Sequence, residues 1–146
     1  MTMILSYVAV GAVDPAIRRR IEEESTALAV VREWWSEPIT FFFDPDCEEQ
    51  LEGNTQFVSR HVDPADADFM MWRDVEFIVR CLRRWSITHG IVWALSCLRP
   101  IGRIERGEPD AKLSAFLDGL RKSGGAKGGR VDEARAQALF VLHSYR

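Results

Sequence analysis

Two of the three Asp-Pro dipeptides in the chain, Asp14-Pro15 and Asp63-Pro64, impose the strongest local constraint on how it folds. The aspartate of such a pair accepts hydrogen bonds from free N–H groups at a helix start, and proline is well tolerated at the first helical position. After each dipeptide, apolar residues recur at the spacings of an amphipathic helix. The sequence therefore predicts two long helices, over residues 15–35 and 64–89, with Gly90 ending the second.

Short segments rich in β-branched and aromatic residues precede and follow these helices. The predicted strands are residues 3–10, 39–43, 55–62, 91–97 and 101–105. With the two long helices they give the order β-α-β-β-α-β, followed by one more strand and two C-terminal helices. This order is typical of the split βαβ arrangement of ferredoxin-like folds.

Right-handed crossovers set the order in which these strands are expected to pair. Segment 91–97 lies beside 3–10, 3–10 beside 55–62, and 55–62 beside 39–43, while 101–105 extends the edge next to 91–97. Both long helices then cover one face of an antiparallel sheet. We therefore expect an α+β protein with a ferredoxin-like βαββαβ core, an added edge strand and two C-terminal helices.

The chain length of 146 residues fits one core domain with a short appendage. We assign residues 1–122 to this α+β core. The segment SGGAKGG, within residues 123–130, has the composition of a flexible linker. Residues 131–146 form a predicted helix that packs either on the core or on a partner.

Composition argues against several classes of protein. The longest stretches without Asp, Glu, Lys or Arg have 13 and 14 residues, whereas a membrane-spanning helix needs roughly 18–20. The three cysteines are odd in number and form no C-x-x-C pair, which argues against a disulfide framework and a structural zinc site. The N-terminal segment lacks the basic start of a secretory signal. We expect a cytoplasmic protein without a membrane segment, a metal or another cofactor.

The net charge of −3 hides a strong asymmetry along the chain. Residues 1–76 carry 16 acidic and 6 basic side chains, a net charge of −10, whereas residues 77–146 carry 6 acidic and 13 basic ones, a net charge of +7. One interpretation is that the two halves pack together and neutralise each other. The other is that the acidic segment, residues 44–76, faces a basic partner.

Charged residues on the two long helices are assigned to their solvent sides. Arg18 and the two arginines after it lie four residues before a run of three glutamates, which predicts a solvated face with weak ion pairs. On the second helix, Arg73 falls with Glu76 and Arg80 on the side opposite the apolar stripe.

Several aromatic residues are hard to bury completely. Neighbouring side chains point in different directions, so the pair Trp34-Trp35 and the three phenylalanines of residues 41–43 leave rings near the surface. If both long helices cover one face of the sheet, either residues 110–146 or a partner must cover the other. We expect the C-terminal helices to cover it, with homodimerisation or partner binding through this face as the alternatives. Phe42 and one of Trp34 or Trp35 are then candidate interface residues, and of the two tryptophans we select Trp34.

No catalytic motif emerges from the sequence, which favours a non-enzymatic binding protein. Immunity proteins and other inhibitors of toxins or nucleases often share this profile of a small acidic domain, although the analogy is one of composition only. We expect carboxylates to steer the protein onto a basic surface of its partner. The predicted partner-binding residues are Asp44, Asp46, Glu48, Glu49, Glu52, Asp63, Asp66, Asp68, Trp34 and Phe42.

A small-ligand site or an active site is the main alternative. The expected fold brings Asp44, Asp46, Cys47 and His89 to one end of the sheet, where carboxylates could bind a cation and Cys47 could pair with His89. It places His61 at the other end, so His61 does not complete a metal site with them. Nucleic-acid binding is not expected, because segment 55–62 carries a single aromatic residue in acidic surroundings.

Overall fold

A computed structural model describes residues 2–58, 63–125 and 132–143 of the protein. Its strands are β1 (Thr2–Ala9), β2 (Glu52–Val58), β3 (Trp93–Cys97), β4 (Arg99–Glu105) and β5 (Glu108–Pro109). Its helices are α1 (Pro15–Val31), α2 (Pro64–His89), α3 (Ala111–Ser123) and α4 (Glu133–His143). One five-stranded antiparallel sheet and these helices make the protein mixed α+β, as predicted. Within the described ranges, no helix has both the length and the apolar character required to cross a membrane.

Asp14-Pro15 and Asp63-Pro64 begin the two long helices that the sequence predicts. The Asp14 carboxylate accepts a hydrogen bond from the N–H of Ala16 at 2.8 Å, and Asp63 accepts one from Ala65 at 2.9 Å. At the other end of α2, Gly90 has a φ of 69°, a left-handed conformation that glycine adopts without a steric penalty. The predictions of both helix starts and of the end of α2 are confirmed.

Helix α1 ends at Val31, four residues before the predicted end. Arg32 is extended, with φ of −121° and ψ of 140°. The backbone N–H groups of Trp35 and Ser36 then donate hydrogen bonds, both 2.9 Å long, to the buried carboxylate of Asp74 on α2. A contact between distant parts of the chain therefore ends this helix.

The sheet has the order β2-β1-β3-β4-β5, and every neighbouring pair is antiparallel. The pairs β2–β1, β1–β3 and β3–β4 join segments that the sequence places side by side. Strand β2 begins at Glu52, three residues earlier than predicted, and pairs along β1 as far as Val8. Strand β5, which the sequence pattern does not predict, adds two residues at the edge next to β4.

The prediction of a regular strand over residues 39–43 is wrong, because this segment makes only a single bridge, between Phe41 and Gly53. The hydroxyl of Tyr7 in β1 explains the interruption. It accepts a hydrogen bond from the N–H of Thr40 and donates one to the Thr40 carbonyl, both at 2.9 Å. The backbone groups of Thr40 are thus occupied by a side chain and do not continue a ladder with β2. Burial raises the pKa of Tyr7 to about 12, so the phenol remains protonated at neutral pH.

All the described helices lie on one face of the sheet. Leu5 and Tyr7 of β1 point to this face and are completely buried. Ile78 and Leu82 of α2 are completely buried in the same cluster, and Leu113 of α3 joins it beside β4. Alternate residues along a strand point to opposite faces, so the main core fills the space between the sheet and these helices.

The expectation that the C-terminal helices cover the opposite face of the sheet is wrong. Helix α4 packs beside the first half of α2, where Arg135 forms an ion pair with Asp66 at 2.9 Å. A second apolar cluster includes Trp35, Phe69, Met70, Trp72, Ala136 and Leu139. The apolar side of α2 is wider than the sheet can cover. Residues of α3 and α4 pack against the part of α2 that the sheet leaves uncovered. No described helix lies on the other face of the sheet.

We expect Gly53→Ala to lower the free energy of unfolding by about 1–3 kcal/mol, which is the usual effect of overpacking. A Cβ atom at Gly53 would collide with the carbonyl of Thr40 and with the ring of Tyr7. The matched control is Gly119→Ala in α3, where an added Cβ meets no atom within 4 Å. This control should raise the stability by about 0.5–1 kcal/mol, because alanine is the better helix former. Urea unfolding followed by tryptophan fluorescence measures both variants, and equal stabilities would contradict the close packing at Gly53.

Candidate protein-binding surface

The acidic loop, which we define as residues 42–52, leads from the bridged segment at the sheet edge into β2, and its last residue, Glu52, is the first residue of that strand. The N–H of Val13 donates to the carbonyl of Glu49 at 2.8 Å, and the N–H of Ala9 donates to the carbonyl of Leu51 at 2.9 Å. The side chain of Leu51 is 1% exposed. The loop is therefore tied to the core through its backbone and through one apolar side chain.

A buried arginine of α1 holds the backbone of the acidic loop. Arg18 is 3% exposed, and its guanidinium donates to the carbonyls of Phe42 at 3.1 Å and Cys47 at 3.3 Å. It also forms an ion pair with Glu22 at 3.2 Å, and its Cζ lies 5.0 Å from the centre of the Phe43 ring. The expectation that Arg18 lies on a solvated helix face is wrong, because the loop covers it.

The outer surface of the acidic loop combines carboxylates with two phenylalanine rings. Phe42 is 47% exposed and Phe43 is 66% exposed. The exposed acidic residues of the loop are Asp44, Asp46, Glu48, Glu49 and Glu52. The side chain of Asp44 accepts a hydrogen bond from the N–H of Asp46 at 2.9 Å. The other four carboxylates have no hydrogen bond or ion pair with the described residues, so they remain available to a partner.

Three further predicted partner-binding residues lie near the opposite end of β2. Asp63 caps α2, so its carboxylate already has a partner in the fold. Asp66 pairs with Arg135 of α4 at 2.9 Å, and Asp68 is half-buried. The acidic segment of the sequence therefore divides into an exposed loop at one end of β2 and a set that helps to build α2 and α4 at the other.

Trp34 is the second predicted aromatic interface residue. Its side chain packs against other residues of the same chain. Its ring centre lies 5.4 Å from that of Phe77, in an edge-on arrangement, and the Arg32 guanidinium lies 4.6 Å from the Trp34 ring centre. Its indole N–H donates to the carbonyl of Leu28 at 3.2 Å. Trp34 lies near the end of α1, whereas Phe42 lies beside its first turns, so the two residues do not adjoin.

Asp74 is the polar residue that sequence reasoning missed. It is completely buried, and its Oδ2 accepts hydrogen bonds from the N–H groups of Trp35 and Ser36 at 2.9 Å and from the Ser36 hydroxyl at 2.7 Å. Its Oδ1 accepts from Arg32 at 2.9 Å and from Arg73 at 3.3 Å. These five bonds use the acceptor capacity of the carboxylate, so Asp74 stabilises the fold and cannot act on a substrate.

The two arginines beside Asp74 are themselves shielded from solvent. Arg73 is 8% exposed, which contradicts its assignment to the solvent side of α2. It also donates to the carbonyl of Glu33 at 3.1 Å. Burial lowers the pKa of Arg32, and the nearby Asp74 carboxylate opposes that shift. An acidic residue beside Arg73 in the sequence was the only signal that could have indicated this cluster.

The alternative site at Cys47 and His89 is not assembled in the described part of the chain. Cys47 contributes its backbone to the loop, and no described hydrogen bond joins it to His89. His89 lines a shallow groove along α1 with Arg19 and Arg20. Within the ranges 2–58, 63–125 and 132–143, no group of three His, Cys, Asp or Glu side chains could hold a metal ion. His61 lies outside these ranges.

The other two cysteines are not activated as nucleophiles. Burial raises the pKa of the Cys81 thiol to about 11 and also raises that of Cys97. A thiolate is the reactive form of cysteine, and these shifts disfavour it at neutral pH. Both side chains pack as small apolar groups in or against the main core.

Part of the charge asymmetry is neutralised where the two halves of the chain meet. Arg84 lies 3.6 Å from Glu24, and Arg135 lies 2.9 Å from Asp66. Both pairs join a base of the second half to an acid of the first. The four free carboxylates of the acidic loop have no such partner among the described residues, so negative charge remains concentrated there.

No protein-family model matches this sequence, and no curated protein or solved structure matches it significantly. The functional inference therefore rests on the geometry of the acidic loop. An ordered backbone is held by a buried cation, while free carboxylates and exposed aromatic rings point outwards.

Replacing the buried guanidinium by Arg18→Met should loosen the acidic loop. We expect amide hydrogen exchange in residues 42–51 to accelerate about tenfold, which corresponds to about 1.4 kcal/mol of local opening free energy. The reason is that the Phe42 and Cys47 carbonyls lose their donor. The control Arg19→Met changes an exposed neighbour and should leave the exchange unchanged. Mass spectrometry of the exchanged peptides provides the measurement, and equal exchange in both variants would refute the supporting role of Arg18.

Asp74→Asn should lower the free energy of unfolding by about 3–5 kcal/mol, because Arg32 and Arg73 lose the buried carboxylate between them and only the exposed Glu133, 3.8 Å from Arg73, remains as a counter-charge. The control is Glu76→Gln on the same helix, which removes the partner of the largely exposed Arg80. Losing such a surface pair should lower stability by at most about 1 kcal/mol. Urea unfolding distinguishes the two variants. Losses of similar size would mean that the buried network contributes no more than a surface pair.

Proposed function

We propose that this protein is a protein-binding domain that docks a basic partner protein through the acidic loop. The observation that carries the proposal is that four unpaired carboxylates and the exposed rings of Phe42 and Phe43 share a loop whose backbone is held by Arg18. Charge and apolar area are thus presented together on a surface that is ordered before binding.

Each of these features contributes a different physical effect to association. The carboxylates attract a basic surface over a distance of about 8 Å at physiological salt and so raise the rate of encounter. The phenylalanine rings supply apolar area that stabilises the complex after contact. Because Arg18 already orders the loop, binding does not have to supply the free energy of ordering it.

The kind of binding that best suits this surface is that of an inhibitor or immunity-type protein. Enzymes that act on nucleic acids present clefts rich in lysine and arginine, because their substrates are polyanions. A cluster of carboxylates that docks on such a cleft blocks the entry of the substrate. The three cysteines are free thiols, which suits a reducing compartment such as the cytoplasm.

We further infer that the core is a variant of the ferredoxin-like fold. The order β2-β1-β3, with both long helices on one face, supports this assignment. Residues 39–43 occupy the position of the remaining strand beside β2, where the N–H of Phe42 donates to the carbonyl of Glu52 at 2.9 Å. In this interpretation, Tyr7 interrupts one edge strand without removing it from its place in the topology.

The test compares the wild-type protein with a loop-reversed variant that carries Asp46→Lys, Glu48→Lys and Glu49→Lys. These side chains are exposed and have no described partner, so the changes should not disturb the fold. Proteins retained by the immobilised wild type from an extract of the source cells are identified by mass spectrometry. The basic candidates are then purified, and their association rates are measured by biolayer interferometry at low and high salt.

A charge-matched control carries Glu23→Lys, Glu108→Lys and Asp118→Lys, three exposed positions on α1, β5 and α3. It has the same net charge as the loop-reversed variant. We expect reversal in the loop to slow association by at least about tenfold and to flatten its salt dependence, while the control changes the rate much less. The proposal fails if every purified partner associates with both variants at equal rates.

A further inference from the structure

We propose that two copies of this chain pair face to face through the open face of the sheet. We define the open face as the side of the sheet opposite the described helices. Glu52, the first residue of β2, belongs both to this face and to the acidic loop, and the proposal goes beyond the binding function above. A second copy of the chain is the expected partner, because the charges and side-chain sizes in one row across this face are complementary to those of the same row in another copy.

The centre of the open face carries three exposed apolar side chains, with the small residue Ser6 between two of them. Ile4 and Val8 lie in β1 and Val10 follows its last residue, and their side chains are 43%, 39% and 47% exposed. Strand β1 is flanked on both sides by other strands, so these residues lie in the middle of the sheet rather than at its edge. Branched apolar side chains at the centre of a surface, with polar ones around them, are typical of protein interfaces.

The register of the sheet sets the order of charges across this face. Val8 pairs with Glu52 on one side and with Ala94 on the other, and Ala94 pairs with Arg103. Paired residues point to the same face, so one row reads Glu52, Val8, Ala94, Arg103 from β2 to β4. Neither charged side chain has a partner among the described residues. The row therefore has an acid at one end, a base at the other and apolar side chains between them.

This row is complementary to a copy of itself. A two-fold axis parallel to the strands, between β1 and β3, would place β2 of one copy over β4 of the other and β1 over β3. Glu52 of each copy would then face Arg103 of the other, and the larger Val8 would face the smaller Ala94. An axis across the strands would instead oppose like charges in this row, so the first arrangement is favoured.

The next row consists of small polar residues. Ser6 of β1 pairs with Ser96 of β3, and these small residues leave space beside Ile4 and Val8. In aligned packing, two sheets lie about 10 Å apart and their side chains interdigitate. Val8 opposite Ala94 meets this requirement, and the two-fold axis repeats that contact, whereas Ser6 opposite Ser96 brings two small residues together.

The size of the face predicts a weak dimer. Four strands spaced about 4.8 Å apart, each about six residues long, form a face of about 19 by 20 Å. Two such faces bury on the order of 1,000 Å², which is at the lower limit of specific interfaces. We therefore expect dissociation constants in the micromolar range, with Val8 at the centre and the Glu52–Arg103 pairs at the rim setting the orientation.

Sedimentation equilibrium of the full chain tests the proposal at concentrations from about 1 to about 500 µM, a range that spans micromolar dissociation constants. Val8→Lys should weaken the dimer at least tenfold, because it places two buried ammonium groups at the centre of the interface. The control Val30→Lys changes a valine on α1 that is 83% exposed and should leave the dimer unchanged. Circular dichroism establishes that both variants are folded.

A charge swap tests the orientation of the two copies independently of the apolar centre. Arg103→Glu alone should weaken the dimer about threefold to tenfold, and adding Glu52→Arg should restore it to within about twofold of the wild type. A chain that stays monomeric at the highest concentration, or a dimer that Val8→Lys leaves intact, would overturn the proposal. Charge variants that behave like the wild type would overturn the two-fold arrangement.

Discussion

The buried carboxylate of Asp74 is the interaction on which much of the remaining structure depends. It ends α1 by binding the backbone of Trp35 and Ser36, and it holds Arg32 and Arg73 against α2. The same contact places Trp35 in the apolar cluster that receives α4. A buried charge is tolerated only when its hydrogen bonds and counter-charges are in place. Elements that are distant in sequence are therefore fixed together.

Arg18 is a second buried charge, at the other end of α1, and it also holds a distant segment of backbone. Here the buried group is a cation, and the backbone that it holds belongs to the acidic loop. A loop positioned by a rigid scaffold is suited to recognition. The open face of the sheet offers a second surface of different chemistry, with an apolar centre between an acid and a base. The two surfaces share Glu52, so dimerisation would pair one of the four free carboxylates of the acidic loop.

Sequence reasoning succeeded where the decisive contacts are local. Asp14 and Asp63 each accept a hydrogen bond from an N–H group two residues further along the chain. Composition alone indicated the acidic loop. It failed where a distant group takes over the backbone or neutralises a charge. The segment at Thr40 did not become a regular strand because Tyr7, 33 residues away, occupies its backbone groups. The four-residue spacing between arginines and glutamates assigned Arg18 to a solvated face, but a loop of the same chain covers it.

By itself, the sequence determined the mixed α+β class, the starts of the two long helices and the concentration of carboxylates near β2. These properties depend on near neighbours and on the alternation of apolar residues. Only the tertiary structure decided which charges are buried, which carboxylates remain free and which face of the sheet stays uncovered. Asp46 and Asp74 are the same residue type, yet one is exposed and the other lies between two arginines. Burial depends on which distant elements pack together, and local sequence carries little information about that packing.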